Sequence, residues 1–167
     1  MTIAIIGGGA SGMAAALAAA ENKDAQVILL ERQARVGRKL QATGNGRCNL
    51  TNINAAPENY HGEQPGFADY ALERFTPEHT LAFFHSLGLL TVTEDSGRVY
   101  PLSDSANSVL DVLRFALEKS GVELRCSCTV RSVCRSGRGY HVSADGLELE
   151  ADYVIVACGG AAGEKLG

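Results

Sequence analysis

Gly7-Gly8-Gly9-Ala10-Ser11-Gly12 carries glycines at the first, third and sixth places, a spacing that by itself suggests a bound pyrophosphate. Gly7 would make a tight turn, Gly9 would let backbone approach the phosphates, and Gly12 with Ala16 would let a following helix pack closely. The first N–H groups of such a helix have no internal partner and carry partial positive charge, so Ala10 and Ser11 would face an anion, with the Ser11 hydroxyl as an extra donor. Glu31 is the matching acid. It would accept hydrogen bonds from the adenosine ribose hydroxyls, and its charge would repel a 2′-phosphate, which argues against NADP at this site. The bland alternative is a ligand-free glycine turn with Glu31 as an ordinary solvated carboxylate. The glycine spacing is weak alone and becomes specific only between a strand and a helix.

The surrounding elements meet that condition. Ile3 to Ile6 is an apolar run of the kind that forms a central parallel strand. Ala10 to Ala20 is an alanine-rich helix, and Val27 to Leu30 is a second apolar, β-branched run ending at Glu31. Together they make a βαβ unit. Residues 32–65 show no apolar period and read as a long loop within a single domain spanning 1–167. Thr76-Pro77 starts a helix through Leu87 that Gly88 closes, with Leu81, Phe84 and Leu87 on its apolar face. Val109, Val112, Leu113, Ala116 and Leu117 mark another helix, capped at Asp104 or Ser105 and stopped at Gly121. Val122 to Arg125, Thr129 to Arg135, Gly139 to Ser143 and Leu147 to Glu150 alternate apolar with polar, as a small antiparallel β-meander over about 122–150 would. Tyr153 to Ala157 returns to the buried-strand type. The fold class is therefore α/β: a Rossmann-type FAD/NAD(P)-binding fold with a parallel central sheet and a small antiparallel meander. The glycine-rich end, with no helix to cover the last strand, reads as the amino-terminal portion of a longer, incomplete domain.

A second cluster runs from Gly37 to Asn52 and carries Arg38, Lys39 and Arg47 among glycine, amide and hydroxyl residues. It suits a phosphate-bearing ligand, and composition alone suits a solvated basic loop equally well. The residues themselves resemble a family. Gly7 to Gly12, Glu31, Gly37-Arg38-Lys39, the string Thr43-Gly44-Asn45-Gly46-Arg47-Cys48-Asn49-Leu50-Thr51-Asn52, and Gly97-Arg98-Val99-Tyr100-Pro101 with Ser103 and Ala106 resemble the BaiN-like (YhiN-type) flavoproteins of the HI0933-like group. The resemblance covers essentially the whole chain. It implies an FAD-dependent oxidoreductase that passes hydride through flavin to or from a small-molecule substrate, with reduction of carbon–carbon double bonds among the family's activities and NAD(P)H as a candidate electron donor. It also implies Ala10 and Glu31 at the adenosine and diphosphate end, and Arg38, Lys39 and Gly44 near the pyrophosphate and ribityl chain. Val130 would make a backbone contact to adenine. Ala157-Cys158-Gly159-Gly160 stands where an A-T-G-G element is usual, placing Ala157 and Gly159 at the cofactor. Family members are longer than this chain, and the missing part would complete the flavin pocket. Two rivals stay open: an NAD-binding module, and a non-catalytic fragment that kept the fold.

The formal charge of −4 gives no footprint for nucleic acid, and no stretch is apolar for long enough to cross a bilayer. The five cysteines include no C-x-x-C pair, so neither a disulfide framework nor a zinc site is indicated, and a cytoplasmic location fits best. Cys48 beside Arg47 invites a nucleophile reading, but a packed structural thiol is favoured. His61, His79, His85 and His141 lack metal-ligand spacing. Tyr100 and Arg98 are candidates to face a substrate or, equally, to hold a strand-to-loop junction. No catalytic residue is identifiable, as expected where a bound flavin supplies the chemistry.

Overall fold

A computed structural model describes residues 1–64 and 66–160. The glycine-rich end expected beyond Gly160 lies outside the described residues. In chain order the elements are β1 (Thr2–Ile6), α1 (Ala10–Ala19), β2 (Gln26–Leu30), α2 (Arg38–Ala42), β3 (Thr51–Asn52), α3 (Asp69–Arg74), α4 (Pro77–Ser86), β4 (Thr91–Thr93), β5 (Arg98–Pro101), α5 (Ala106–Ser120), β6 (Glu123–Arg125), β7 (Val130–Ser136), β8 (Gly139–Ala144), β9 (Leu147–Ala151) and β10 (Tyr153–Val156). Contacts divide them into two units: Met1–Leu40 with the chain from Leu113 onward, and Gln41–Val112.

The first unit is built on a four-stranded sheet in the order β10-β1-β2-β6, parallel throughout. Side chains alternate faces along each strand, so the two sides of this sheet bury different sets. Ala4, Ile28 and Leu30 point to one face, where they cluster with Cys128, Val142, Ala144 and Ala151 beneath the antiparallel meander β7-β8-β9. Ile5 and Leu29 point to the other and are fully buried, and α1 packs across β1, β2 and β10 through Met13 and Ala16. Small side chains along α1 let it lie close to the strands.

Two sequence expectations are corrected here. Glu123–Arg125 was expected in the antiparallel meander, yet it adds to the central sheet, pairing parallel with β2 from Ile28↔Glu123 to Leu30↔Arg125. Local alternation sets which side chains share a face but not which strand is the partner. The α5 crossover makes the parallel arrangement available. Tyr153 to Val156 was expected to be buried on both faces, but β10 is an edge strand with Tyr153 58%, Ile155 38% and Val156 70% exposed. Its apolar composition suits cover on both sides, and no described element lies along its outer edge.

The second unit holds an antiparallel sheet ordered β3-β5-β4, with Val99 and Pro101 of β5 fully buried. The α4 helix begins as its sequence suggests: Thr76 is extended, Pro77 occupies the first turn, and the Thr76 N–H donates to His79 Nδ1 at 3.2 Å. Gly88, at φ +87°, ends it in the left-handed region. Within 32–65 the chain forms α2, a 3₁₀ turn at Thr43–Gly46, β3 and a 3₁₀ turn at Pro57–Asn59. Each is too short to show an apolar period.

The meander carries a charge cluster of its own. His141 on β8 meets Glu150 Oε1 through Nδ1 at 2.6 Å and Glu148 Oε2 through Nε2 at 2.8 Å, and Ser143 donates to Glu148 Oε1. The hydrogen bond with Glu150, then that with Glu148, raises the imidazole's pKa above its ordinary value. A group whose folded pKa is raised contributes stability that is present below the unfolded value, about 6.5, and is lost as pH rises through the folded one. Wild type is therefore expected to melt above His141→Gln in mildly acidic buffer, with the gap closing as pH rises. Melting curves across that range check this, and a gap that widens with pH contradicts it.

Candidate dinucleotide site

The turn after β1 is shaped by what its glycines exclude. Gly7 has φ +107°, and a Cβ there would sit 2.5 Å from the Ala157 carbonyl oxygen at the end of β10. A Cβ on Gly12 would overlap the Gly7 carbonyl itself. These two positions let α1 start on top of the strand ends. Gly9 differs: it is extended at φ −77°, and a Cβ there would meet no described atom within 4 Å. Gly9 is the N-cap of α1, no side chain caps the helix there, and no acid stands in its first turn. Ala10 and Ser11 are exposed. The helix thus presents uncapped N–H groups and the positive end of its dipole to an open space lined by glycine, a setting suited to a diphosphate.

Glu31 follows β2 and joins the same turn. Its Oε2 accepts the Gly8 N–H at 2.6 Å, and its Oε1 accepts the Gln33 N–H at 2.7 Å. The chain then folds back so that the Gly37 N–H donates to the Gly8 carbonyl at 2.8 Å. Gly8 itself was passed over in the sequence, being an unspecified place in the glycine motif. A Cβ there would lie 2.6 Å from Val36 Cγ1 and 3.0 Å from Glu31 Oε2. The run of three glycines was the available signal.

Past Gly37, the Arg38 guanidinium donates to Gln33 Oε1 at 3.2 Å and the Lys39 ammonium to the Gly160 carbonyl at 3.3 Å, so both cations hold neutral acceptors. Gly159, left-handed at φ +77°, lies beside Lys39. Val130 opens β7 at a β-bulge and packs against the meander core. Cys128, two residues earlier, donates its N–H to the Glu31 carbonyl at 2.9 Å. In this unit the structure therefore joins Gly7, Gly12 and Ala157 at the turn, Glu31 through Gly8, and Lys39 with Gly159 at the end of β10. The Cys158 thiol is exposed and 3.6 Å from the Ile6 carbonyl.

Gly44 and Arg47 belong to the second unit. Gly44 and Asn45 at φ +55°, Gly46 at +87° and Cys48 at +60° are left-handed, with Arg47 at φ −91° between the last two. Asn45 tolerates this region better than most residues. The Arg47 guanidinium donates to Glu94 Oε1 at 2.7 Å and to Asp104, and stacks 3.9 Å from the centre of the Tyr100 ring. The hydrogen bonds it donates to Glu94 and Asp104 hold its pKa above the usual arginine range. Two carboxylates thus already neutralise this cation. Tyr100 is buried beneath it and Arg98 is exposed. Burial pushes the Cys48 thiol up, against a hydrogen bond with Thr43 that lowers it, so Cys48 is held as a neutral packed thiol. His79 caps α4 and His85 meets Thr91 Oγ1 at 2.8 Å. Among the described residues no group of His, Cys, Asp and Glu could hold a metal ion, and no helix is long and apolar enough to cross a membrane.

The chain is 48% identical, over 99% of its length, to a 3-dehydro-bile acid delta(4,6)-reductase of Clostridium scindens, and 32% identical, over 98%, to a ribosomal RNA dihydrouridine synthase of Escherichia coli. It spans 40% of the length of each. Among solved structures it overlays 95% of its residues on a Thermovibrio ammonificans THI4 protein, at TM-score 0.63 and 15% identity, covering 57% of that chain. It likewise overlays 95% on CtdE, solved with FAD and a substrate, at TM-score 0.56 and 16% identity, covering 38% of that chain. At such identities these overlays speak for the fold alone. The model of the HI0933-like protein Rossmann domain matches residues 1–167, and on a match of that extent the chain belongs to the HI0933-like family.

Proposed function

We propose that this chain forms the dinucleotide-binding part of an FAD-dependent oxidoreductase that saturates a carbon–carbon double bond in a small-molecule substrate, with NAD(P)H as the electron donor and the cytoplasm as its location. One observation carries the cofactor assignment: the uncapped start of α1 faces a space at Gly9 that a side chain would fill, with the Glu31 carboxylate one strand away. In this reading the diphosphate rests against the N–H groups at Ala10 and Ser11, and Glu31 accepts the adenosine ribose hydroxyls. Arg38 and Lys39, bonded among the described residues to neutral acceptors, supply charge for the phosphates. Val130, Ala157 and Gly159 contribute backbone. The bound flavin would supply hydride transfer, and the protein's part is to bind and orient it. The reaction class is supported by the names of two relatives, a 3-dehydro-bile acid delta(4,6)-reductase and a ribosomal RNA dihydrouridine synthase, and the small-molecule substrate by the first of them alone.

Added FAD is expected to raise the melting temperature, since a ligand at 100 times its Kd stabilises the folded state by about 2.7 kcal/mol. A rise with NAD and none with FAD would turn the reading toward a nicotinamide module, and no rise with either would remove the cofactor assignment. Glu31→Ala is expected to weaken FAD binding by about 1–3 kcal/mol, read by flavin fluorescence titration. The glycines separate by role: Gly12→Ala should lower stability to urea by about 1–3 kcal/mol through overpacking, whereas Gly9→Val, a change at the N-cap, should cost about 1 kcal/mol and leave a folded protein that takes up no flavin. A Gly9→Val protein that binds FAD normally contradicts the placement of the diphosphate.

A further inference from the structure

A ribose acceptor needs free lone pairs, yet both oxygens of the Glu31 carboxylate already have protein partners in the Gly8 and Gln33 N–H groups. A carboxylate has about four acceptor directions. Two are taken and two remain, so one side chain has room for both roles. Its backbone is anchored independently: the Glu31 N–H donates to the Arg125 carbonyl at 2.8 Å, and the Glu31 carbonyl accepts from Cys128. Gly8, by contrast, lies between left-handed Gly7 and the N-cap Gly9, in a turn with no side chain of its own. Its carbonyl is taken by Gly37, and the space at its Cβ position is filled by Val36 and by the carboxylate.

We infer that Glu31 is a positioning residue for the phosphate-binding turn as well as a ribose acceptor, an inference that rests on the dinucleotide reading above. Its carboxylate fixes the orientation of Gly8, and through it the open face at Gly9 and the start of α1, before any ligand arrives. Holding the turn in its bound shape lowers the ordering cost of binding. The sugar end and the phosphate end of the site are then one hydrogen-bonded device, and loss of the acid weakens the grip on a diphosphate even when the sugar offers nothing to hold.

Calorimetric titration of the full chain with ADP and with 2′,3′-dideoxy-ADP tests this. Glu31→Gln keeps the side chain's shape and one acceptor oxygen, but turns amide hydrogens toward one of the two N–H groups. The variant is expected to bind dideoxy-ADP roughly tenfold more weakly than wild type does. Equal affinity of the two proteins for dideoxy-ADP overturns the inference and leaves the ribose role intact. A second pair keeps Glu31 in place. Val36→Ala makes room beside position 8, so that Gly8→Ala added to it presses on the Glu31 side chain, whose Cβ and Oε2 would both lie 3.0 Å from the new methyl. The double variant is expected to prefer ADP over dideoxy-ADP less than Val36→Ala alone does, because the displaced acid no longer meets the hydroxyls, and an unchanged preference overturns the coupling. A wild-type chain that binds neither nucleotide overturns the dinucleotide reading and this inference with it.

Discussion

The absence of side chains at positions 7 and 12 lets α1 begin directly on the carboxyl end of β1, and the rest of the first unit depends on that contact. Gly7 donates its N–H to the Leu30 carbonyl and Ala157 donates to the Ile6 carbonyl, so the ends of β2, β1 and β10 close around one turn. In parallel sheets the crevice outside the carboxyl ends of the strands is where ligands bind. Here those ends converge on a helix start with no cap of its own. Any β-carbon at position 12 would lift the helix off the strands and carry its unpaired N–H groups away from that crevice.

The same packing explains why the two faces of the sheet differ. α1 is rich in alanine and presses close, leaving Met13 as its one large buried side chain. The other face is covered by the meander, which buries Val142, Ala144 and Ala151 against Ala4, Ile28 and Leu30. The polar side chains of β8 and β9 therefore point outward, and His141, Glu148 and Glu150 find one another there.

Local rules were enough for the βαβ unit, because Ile3 to Glu31 encodes its fold within one short stretch: an apolar run, a glycine turn, an alanine helix, a second apolar run and an acid. The segments that local patterning did not place are those whose partners lie far along the chain. Leu124 sits in an alternating segment that would serve equally in a hairpin, and only its pairing with Leu29, reached through α5, makes it part of the parallel sheet. Val156 is as apolar as Ile6, but a strand's composition does not reveal whether it lies at the centre or the edge of a sheet. Gly8 is hidden for another reason. Its requirement comes from Val36 and Glu31, which approach it only in the folded chain.

The basic residues of the Gly37 to Asn52 stretch look alike in the sequence, and the partners they take separate them. Arg47 has Glu94, Asp104 and the Tyr100 ring around it, so its charge is largely answered within its own unit, where it ties the left-handed loop to β5. Arg38 and Lys39 hold an amide oxygen and a backbone carbonyl, and among the described residues neither has an acid as partner. Lys39 lies at the end of β10, the strand that also closes the Gly7 turn. In a chain of net charge −4, two cations without an acidic partner among the described residues on the segment that straps the turn raise the local potential there. Neutralisation by neighbours, more than residue type, thus sorts the cations suited to hold phosphate from the one that holds the loop.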